Sequence, residues 1–253
     1  MNQGNPAPYD ITPPSAVPGG QPVVRLSFRP YVTYVLIGFC VVVYLLQVTN
    51  FIDITSALIK DNSLIMQGQV WRLFTPMFLH GSILHLGFNM YALFSIGPTL
   101  ERFYGRQRYL VLFILGGFAG NVMSFMFTQN PSLGSSTAIF GLIGAEGVLL
   151  YKNREVFGSV ARRALSQVVM IAVVNLIIGA TPNSGIDNWG HIGGLIGGTL
   201  FAWFGGPLLQ RQGLYAPYMI KDVRTNREVI IAGVGVGALF SFLALATMFF
   251  RVG

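Results

Sequence analysis

The chain has 253 residues, of which 53% are hydrophobic and 10% charged, with a net charge of +7. Soluble domains carry about 25% charged residues and disordered chains are poor in apolar ones, so both classes are excluded. A single cysteine, Cys40, excludes a disulfide scaffold and any cysteine-based zinc site.

Residues 1–30 hold seven of the thirteen prolines, with Gly19 and Gly20 between Pro18 and Pro22. Such a stretch cannot build a helix or a core, so it reads as a flexible, cytoplasmic tail. It lacks the basic start and short apolar run of a signal peptide. Seven apolar stretches follow, near Tyr31–Gln47, Ser82–Leu100, Tyr109–Phe127, Ser136–Tyr151, Leu165–Ala180, Trp189–Leu208 and Val229–Phe250. A bilayer crossing takes about 20 apolar residues, so the expected fold is an all-α polytopic membrane protein. The fourth and fifth stretches are short for a crossing, and the sixth is rich in glycine. This divides the chain into a tail (1–30), a six-helix core (31–208), a basic loop (209–228) and an added C-terminal helix (229–253).

The basic residues orient this layout. Thirteen of the sixteen fall in the tail and in the second, fourth and sixth connections, leaving out Lys60, Arg72 and Arg251. The positive-inside rule then places the N-terminus in the cytoplasm and the C-terminus outside, and the expected location is a plasma (inner) membrane. Because the basic residues sit between apolar runs and form no single patch, the +7 charge is no nucleic-acid footprint.

Ionisable groups inside a bilayer are costly and mark function by default. All three histidines, His80, His85 and His191, lie at or inside the start of a crossing. Asn89 follows His85 by four residues and shares its helix face. Gly134-Ser135-Ser136-Thr137 opens the fourth crossing. The second, fourth and sixth crossings all begin outside, so His85, Asn89, Ser136 and His191 are predicted at a similar depth toward the outer face. From Ser136 to Tyr151 a helix rises roughly 24 Å, against a hydrocarbon layer of about 30 Å. With Lys152 at the cytoplasmic side, Ser136 lies below the outer surface. The loop before it must then dip into a protein-walled or wet cavity.

Gly190, Gly194 and Gly198 recur every four residues beside His191, and Gly141, Gly144 and Ala145 line the fourth crossing. Small residues let helices approach closely, which would bring His191 within hydrogen-bond reach of Ser136. The chemistry implied is serine nucleophilic catalysis. His191 takes the hydroxyl proton, and His85, Asn89 and the Ser136 amide are donors for the oxyanion. Ser135 competes with Ser136 for the nucleophile. Metal ligation is disfavoured, because no HExxH spacing occurs and no carboxylate lies within four residues of His80 or His85. Asp187, four residues before His191, reads as a helix cap or a solvated loop acid before it reads as a third catalytic member. Asn121 and Asn175 read as hydrogen bonds between helices.

Gln69-Val70-Trp71-Arg72, HGSILHLGFN from His80 to Asn89, Leu100-Glu101-Arg102, GSSTAIFGLIGA from Gly134 and WGHIGGLIGG from Trp189 together resemble the rhomboid family of intramembrane serine proteases. The resemblance implies a six-helix core, a Ser-His dyad and no cofactor. Its register puts the nucleophile at Ser136, the base at His191 and the oxyanion donors at His85 and Asn89. It also marks His80, Gly134 and Phe140 as supporting the site. The family's usual glycine after the nucleophile is Thr137 here, a β-branched residue that bears on substrate approach or on the backbone donor. The tyrosine often found four residues after the serine is Phe140. The seventh crossing is similar to the family variant with one helix added at the C-terminus. The implied partners are transmembrane protein substrates within the lipid bilayer. The alternatives are a rhomboid-like protein that binds membrane clients without cutting them, and a transporter, for which no polar path continues past the outer face apart from Glu146, which reads as a packed or snorkelling carboxylate near the cytoplasmic end of the fourth crossing.

Overall fold

Seven long helices carry the molecule in a computed structural model that describes residues 28–49, 53–212 and 219–252. Nearly all of the proline-rich tail lies outside the described residues. The long helices are α1 (Tyr31–Thr49), α4 (Ile83–Tyr104), α5 (Arg106–Phe127), α6 (Ser136–Lys152), α8 (Ser159–Gly179), α9 (Asn188–Gly205) and α10 (Asn226–Val252). Short helices α2 (Ile54–Leu58), α3 (Asn62–Met66) and α7 (Arg154–Phe157) lie between them, with two 3₁₀ turns at Val70–Leu73 and Thr75–Phe78.

Five of these helices, α1, α4, α5, α8 and α10, are long and apolar enough to cross a membrane. The protein is an integral, multi-pass, all-α membrane protein built on seven long helices. The fifth crossing corrects the sequence expectation. It was expected to be short and to begin at Leu165, but α8 begins at Ser159 and runs 21 residues. Arg162 and Arg163 therefore sit on its first turns, not in a loop. The last helix likewise starts early, at Asn226. Thr225 and Glu228 cap each other's backbone amides reciprocally, a capping box spelled Thr-x-x-Glu in the sequence.

α6 has 17 residues, against 22 in α4 and in α5. Five residues amount to about 7 Å of helix. α6 is buried along most of its length and packs against α4, α5, α8 and α9. Because neighbours wall it in, it spans less than they do without exposing its ends to lipid. Glycine lets α9 lie directly on it. A side chain at Gly194 would collide with the Thr137 carbonyl, and one at Gly198 with the backbone of Gly141.

The basic loop adds a two-stranded ribbon that composition did not announce. β1 (Leu209–Gln212) pairs antiparallel with β2 (Met219–Asp222), with Leu209 opposite Asp222. Asp222 docks the ribbon, accepting from the Leu208 amide at 2.9 Å and from Arg108 at 2.9 Å. The ribbon sits where α4, α6 and α9 end and where α5, α8 and α10 begin, among the basic clusters.

Candidate active site

At the opposite end, α4, α6 and α9 begin together, and the irregular backbone between them is tightly tied. The Gly134 amide donates to the Pro76 carbonyl at 2.9 Å, and Lys60 and Ser132 form an isolated antiparallel bridge. Gly134 has φ +131°, a conformation that side chains other than hydrogen rarely allow. Space enforces the same choice, because the point where a Cβ would sit lies 2.7 Å from His85 Nε2. That point is also 3.6 Å from Ser136 Oγ. The imidazole of His85 and the hydroxyl of Ser136 thus flank one glycine.

Ser136 is the first residue of α6 and is partly exposed. No side chain caps this helix, so its first-turn amides remain free to donate toward the cleft. Ser135 differs. It is fully buried, and its hydroxyl lies 3.2 Å from His80 Nε2. His80 is held in turn by Gln47, which accepts from its amide at 3.0 Å and donates to its carbonyl at 3.3 Å. The His80 and His85 rings meet edge to face, with centroids 5.3 Å apart. Asn89 is buried one turn along α4 from His85.

His191 lies in the first turn of α9 and is 7% exposed. Its ring stacks on Phe140, with centroids 4.1 Å apart and planes within 9°. Phe140 stands one turn after Ser136 on the same face of α6, so the imidazole lies beside the face that carries the serine. Among the described residues no hydrogen bond joins Ser136 to His191. Catalytic hydrogen bonds in unliganded sites are commonly long and tighten with substrate.

The structure places Asp187 as a cap. Its carboxylate accepts from the Gly190 amide at 2.9 Å and from the Ser124 hydroxyl. Thr137 does not face the cleft. It is buried in the seam between α5 and α9, its side chain against the space left by Gly120 and Gly190. The methyl-bearing side chain after Ser136 is therefore taken up by helix packing. Asn121 donates across the fold to the Leu73 carbonyl at 3.0 Å. Asn175 instead donates to Ile171 on its own helix, 2.8 Å away, and is no interhelical link. Among the described residues no three His, Cys, Asp or Glu converge as metal ligands would.

Several buried polar atoms here lack a partner: His80 Nδ1, Asn89 Nδ2, Thr137 Oγ1 and His191 Nδ1. Buried polar groups are normally paired, so such a cluster calls for a functional explanation. Three contributors escaped sequence reasoning. Gln47, Lys60 and the Ser135–His80 pair depend on contacts between distant segments. Lys60 carried a signal as a basic residue outside the basic clusters, and Ser135 and His80 were each singled out but not as a pair.

The rhomboid domain model matches residues 67–208. The chain is 41% identical over 179 residues to the rhomboid protease GluP of Bacillus subtilis, covering 69% of this chain and 34% of that protein. It is 40% identical over 152 residues to RHOMBOID-like protein 9, chloroplastic, of Arabidopsis thaliana, covering 60% and 35%. It is also 37% identical over 129 residues to the inactive RHOMBOID-like protein 8 of the same plant, covering 51% and 36%. The chain spans about a third of the length of these relatives. With a domain match over more than half its length, and with these residues gathered at one end of the bundle, the chain belongs to the rhomboid family.

Proposed function

We propose that this protein is an intramembrane serine endopeptidase that cuts transmembrane proteins within or near a membrane-spanning segment. Ser136 is the nucleophile and His191 the general base. The observation that carries this is the joint placement of three groups: His191 stacked on Phe140, one turn from Ser136, and His85 beside Ser136 across Gly134. His191 takes the hydroxyl proton as Ser136 Oγ attacks the carbonyl carbon. His85, Asn89 and the uncapped first-turn amides of α6 donate to the oxyanion as it forms. His191 then returns the proton to the leaving amine, and water hydrolyses the acyl-enzyme. Ser135, spent on His80, is left a structural role.

The catalytic core is 31–208, and the helix at 229–253 is an addition to it. The basic clusters at the other end support a cytoplasmic N-terminus, an outward C-terminus and a site toward the outer face of a plasma membrane.

The test is cleavage of a membrane-anchored substrate by reconstituted protein beside Ser136→Ala and His191→Ala variants. Cleavage is expected to vanish in both, and its persistence in both would refute the dyad. A second reading, a client-binding protein without protease activity, draws support from the inactive relative and from the unformed Ser136–His191 hydrogen bond. Failure of a fluorophosphonate to label Ser136 would favour it.

A further inference from the structure

Lys60 has no place in the chemistry above, yet it is fully buried. Its ammonium donates to Ser124 Oγ at 3.1 Å, to the Asn130 carbonyl at 2.8 Å and to the Thr128 carbonyl at 3.4 Å. Ser124 Oγ in turn donates to Asp187, and it lies 3.2 Å from Ser132 Oγ. The backbone of Lys60 exchanges two hydrogen bonds with Ser132, at 3.1 and 3.2 Å. Two of these partners hold matching positions. Ser132 precedes Ser136 by four residues, and Asp187 precedes His191 by four. Asp187 also caps the helix that carries His191, and its own carbonyl accepts the His191 amide at 3.0 Å. One buried cation therefore grips both the loop that delivers the serine and, through Ser124, the first turn that delivers the histidine.

We propose that Lys60, Ser124 and Asp187 form a positioning node that sets Ser136 against His191. The node rests on the dyad reading above and adds to it three residues that touch no substrate. A buried charge must be compensated by good geometry, so the node has one favourable arrangement and transmits little play. Near-attack geometry is sensitive at the scale of an ångström, which is the freedom the loop and the helix start would gain without it.

The test uses the full chain in liposomes of phosphatidylethanolamine and phosphatidylglycerol, with a membrane-anchored substrate and active sites titrated by a fluorophosphonate. Lys60→Met keeps length and removes the charge. Asp187→Asn keeps the acceptor for the Gly190 amide and removes the charge. Each single variant is expected to lower kcat per labelled site by about 10- to 100-fold, with KM within about twofold. The double variant is expected to be no worse than either single one, as for residues acting as a unit. Unchanged kcat per labelled site, or losses that multiply, would overturn the node. A fall only in the labelled fraction would overturn it too, because that is what mere destabilisation does. Hydrogen exchange supplies a readout independent of cleavage. In Lys60→Met the amides of 128–136 and 187–191 should lose protection together, and loosening of one segment alone refutes the coupling. A wild-type protein that neither cleaves nor labels would sink the dyad reading, and the exchange result would still decide the node.

Discussion

The two ends of the bundle use polar residues in opposite ways. At the basic end, side chains are consumed by structure. Glu101 is fully buried and caps α1, accepting from the Val32 amide at 3.0 Å, the Thr33 amide at 2.8 Å and the Thr33 hydroxyl at 2.8 Å. Asn153 bonds the Leu149 carbonyl at 2.8 Å, the Pro207 carbonyl at 3.1 Å and the Leu209 amide at 2.6 Å. At the other end His80, Asn89 and His191 each keep an unpaired buried atom. Satisfied groups hold helices in register. The unpaired atoms lie around the starts of two helices, His80 and Asn89 at α4 and His191 at α9, where the proposed chemistry would use them. The difference predicts that substitutions at the two ends separate activity from stability.

The largest effect belongs to the proposed Ser136–His191 pair. Ser136→Ala and His191→Ala are each expected to lower kcat/KM by on the order of 10⁴-fold or more, with unfolding nearly unchanged. Substrate turnover and micelle unfolding measured on the same samples check both halves, and equal losses in both would erase the contrast between the ends. Next is Gly134→Ala, which forces a side chain into a positive-φ position and against His85. A loss of about 100-fold in kcat is expected from displacing the imidazole and the neighbouring hydroxyl. Labelling of Ser136 by fluorophosphonate should slow in step, and if it does not, His85 is not held by Gly134.

The basic end is the mirror case. Asn153→Ala removes bonds to three backbone groups in buried surroundings, for an expected cost of about 2 kcal/mol in unfolding free energy. Turnover per labelled site should stay within about twofold. A selective loss of kcat would show that the two ends communicate.

Much of this was legible beforehand, for identifiable reasons. Apolar runs separated by basic clusters locate helices because the bilayer forbids other arrangements, so all the long helices but α8 and α10 begin within a few residues of their expected places. The exceptions are physical. α8 begins early because Ser159–Leu165 carries a polar, Arg-bearing face that hydropathy ignores, and α10 because Thr225 and Glu228 form a capping box. The site residues stood out because histidine and asparagine are costly in a membrane. What stayed hidden was contact between distant segments. Ser135 and Ser136 are adjacent and chemically identical; in the sequence only the family register separates them, and the physical reason, the burial of Ser135 with its hydroxyl 3.2 Å from His80, shows only in the fold. The same holds for Thr137, whose packing depends on glycines 17 residues before it and 53 after it. The three basic residues outside the clusters also became intelligible. Arg72 donates to the Ile59 carbonyl at 2.7 Å, and Arg251 to the Met126 carbonyl at 3.2 Å. With Lys60 they are structural cations at the end where basic residues are otherwise rare.

Lys60 offers the smallest and most discriminating test, because it lies at the site end yet is bonded like a group of the basic end. Burial lowers its pKa from the ordinary 10.5 to about 8. The charges that face it are Asp187 at the start of α9 and Asp61 beside it, which favour the ammonium, and Arg251 at the end of α10, which opposes it. A pKa lowered by folding means that the unfolded chain holds the proton between about pH 8 and 10.5 while the folded protein has lost it. Stability should therefore rise with pH across that window, by about 1.4 kcal/mol per unit at most. Below the window both states are charged, and the full desolvation cost is felt. Above it neither is charged, and this contribution is flat. Unfolding in micelles from pH 7 to 11 measures the slope, and Lys60→Met should remove it. In Asp187→Asn the favourable carboxylate is gone, so the folded pKa drops further and the rise should begin at lower pH. A wild-type slope that survives in Lys60→Met would assign the titration to another group and leave the buried ammonium without energetic consequence.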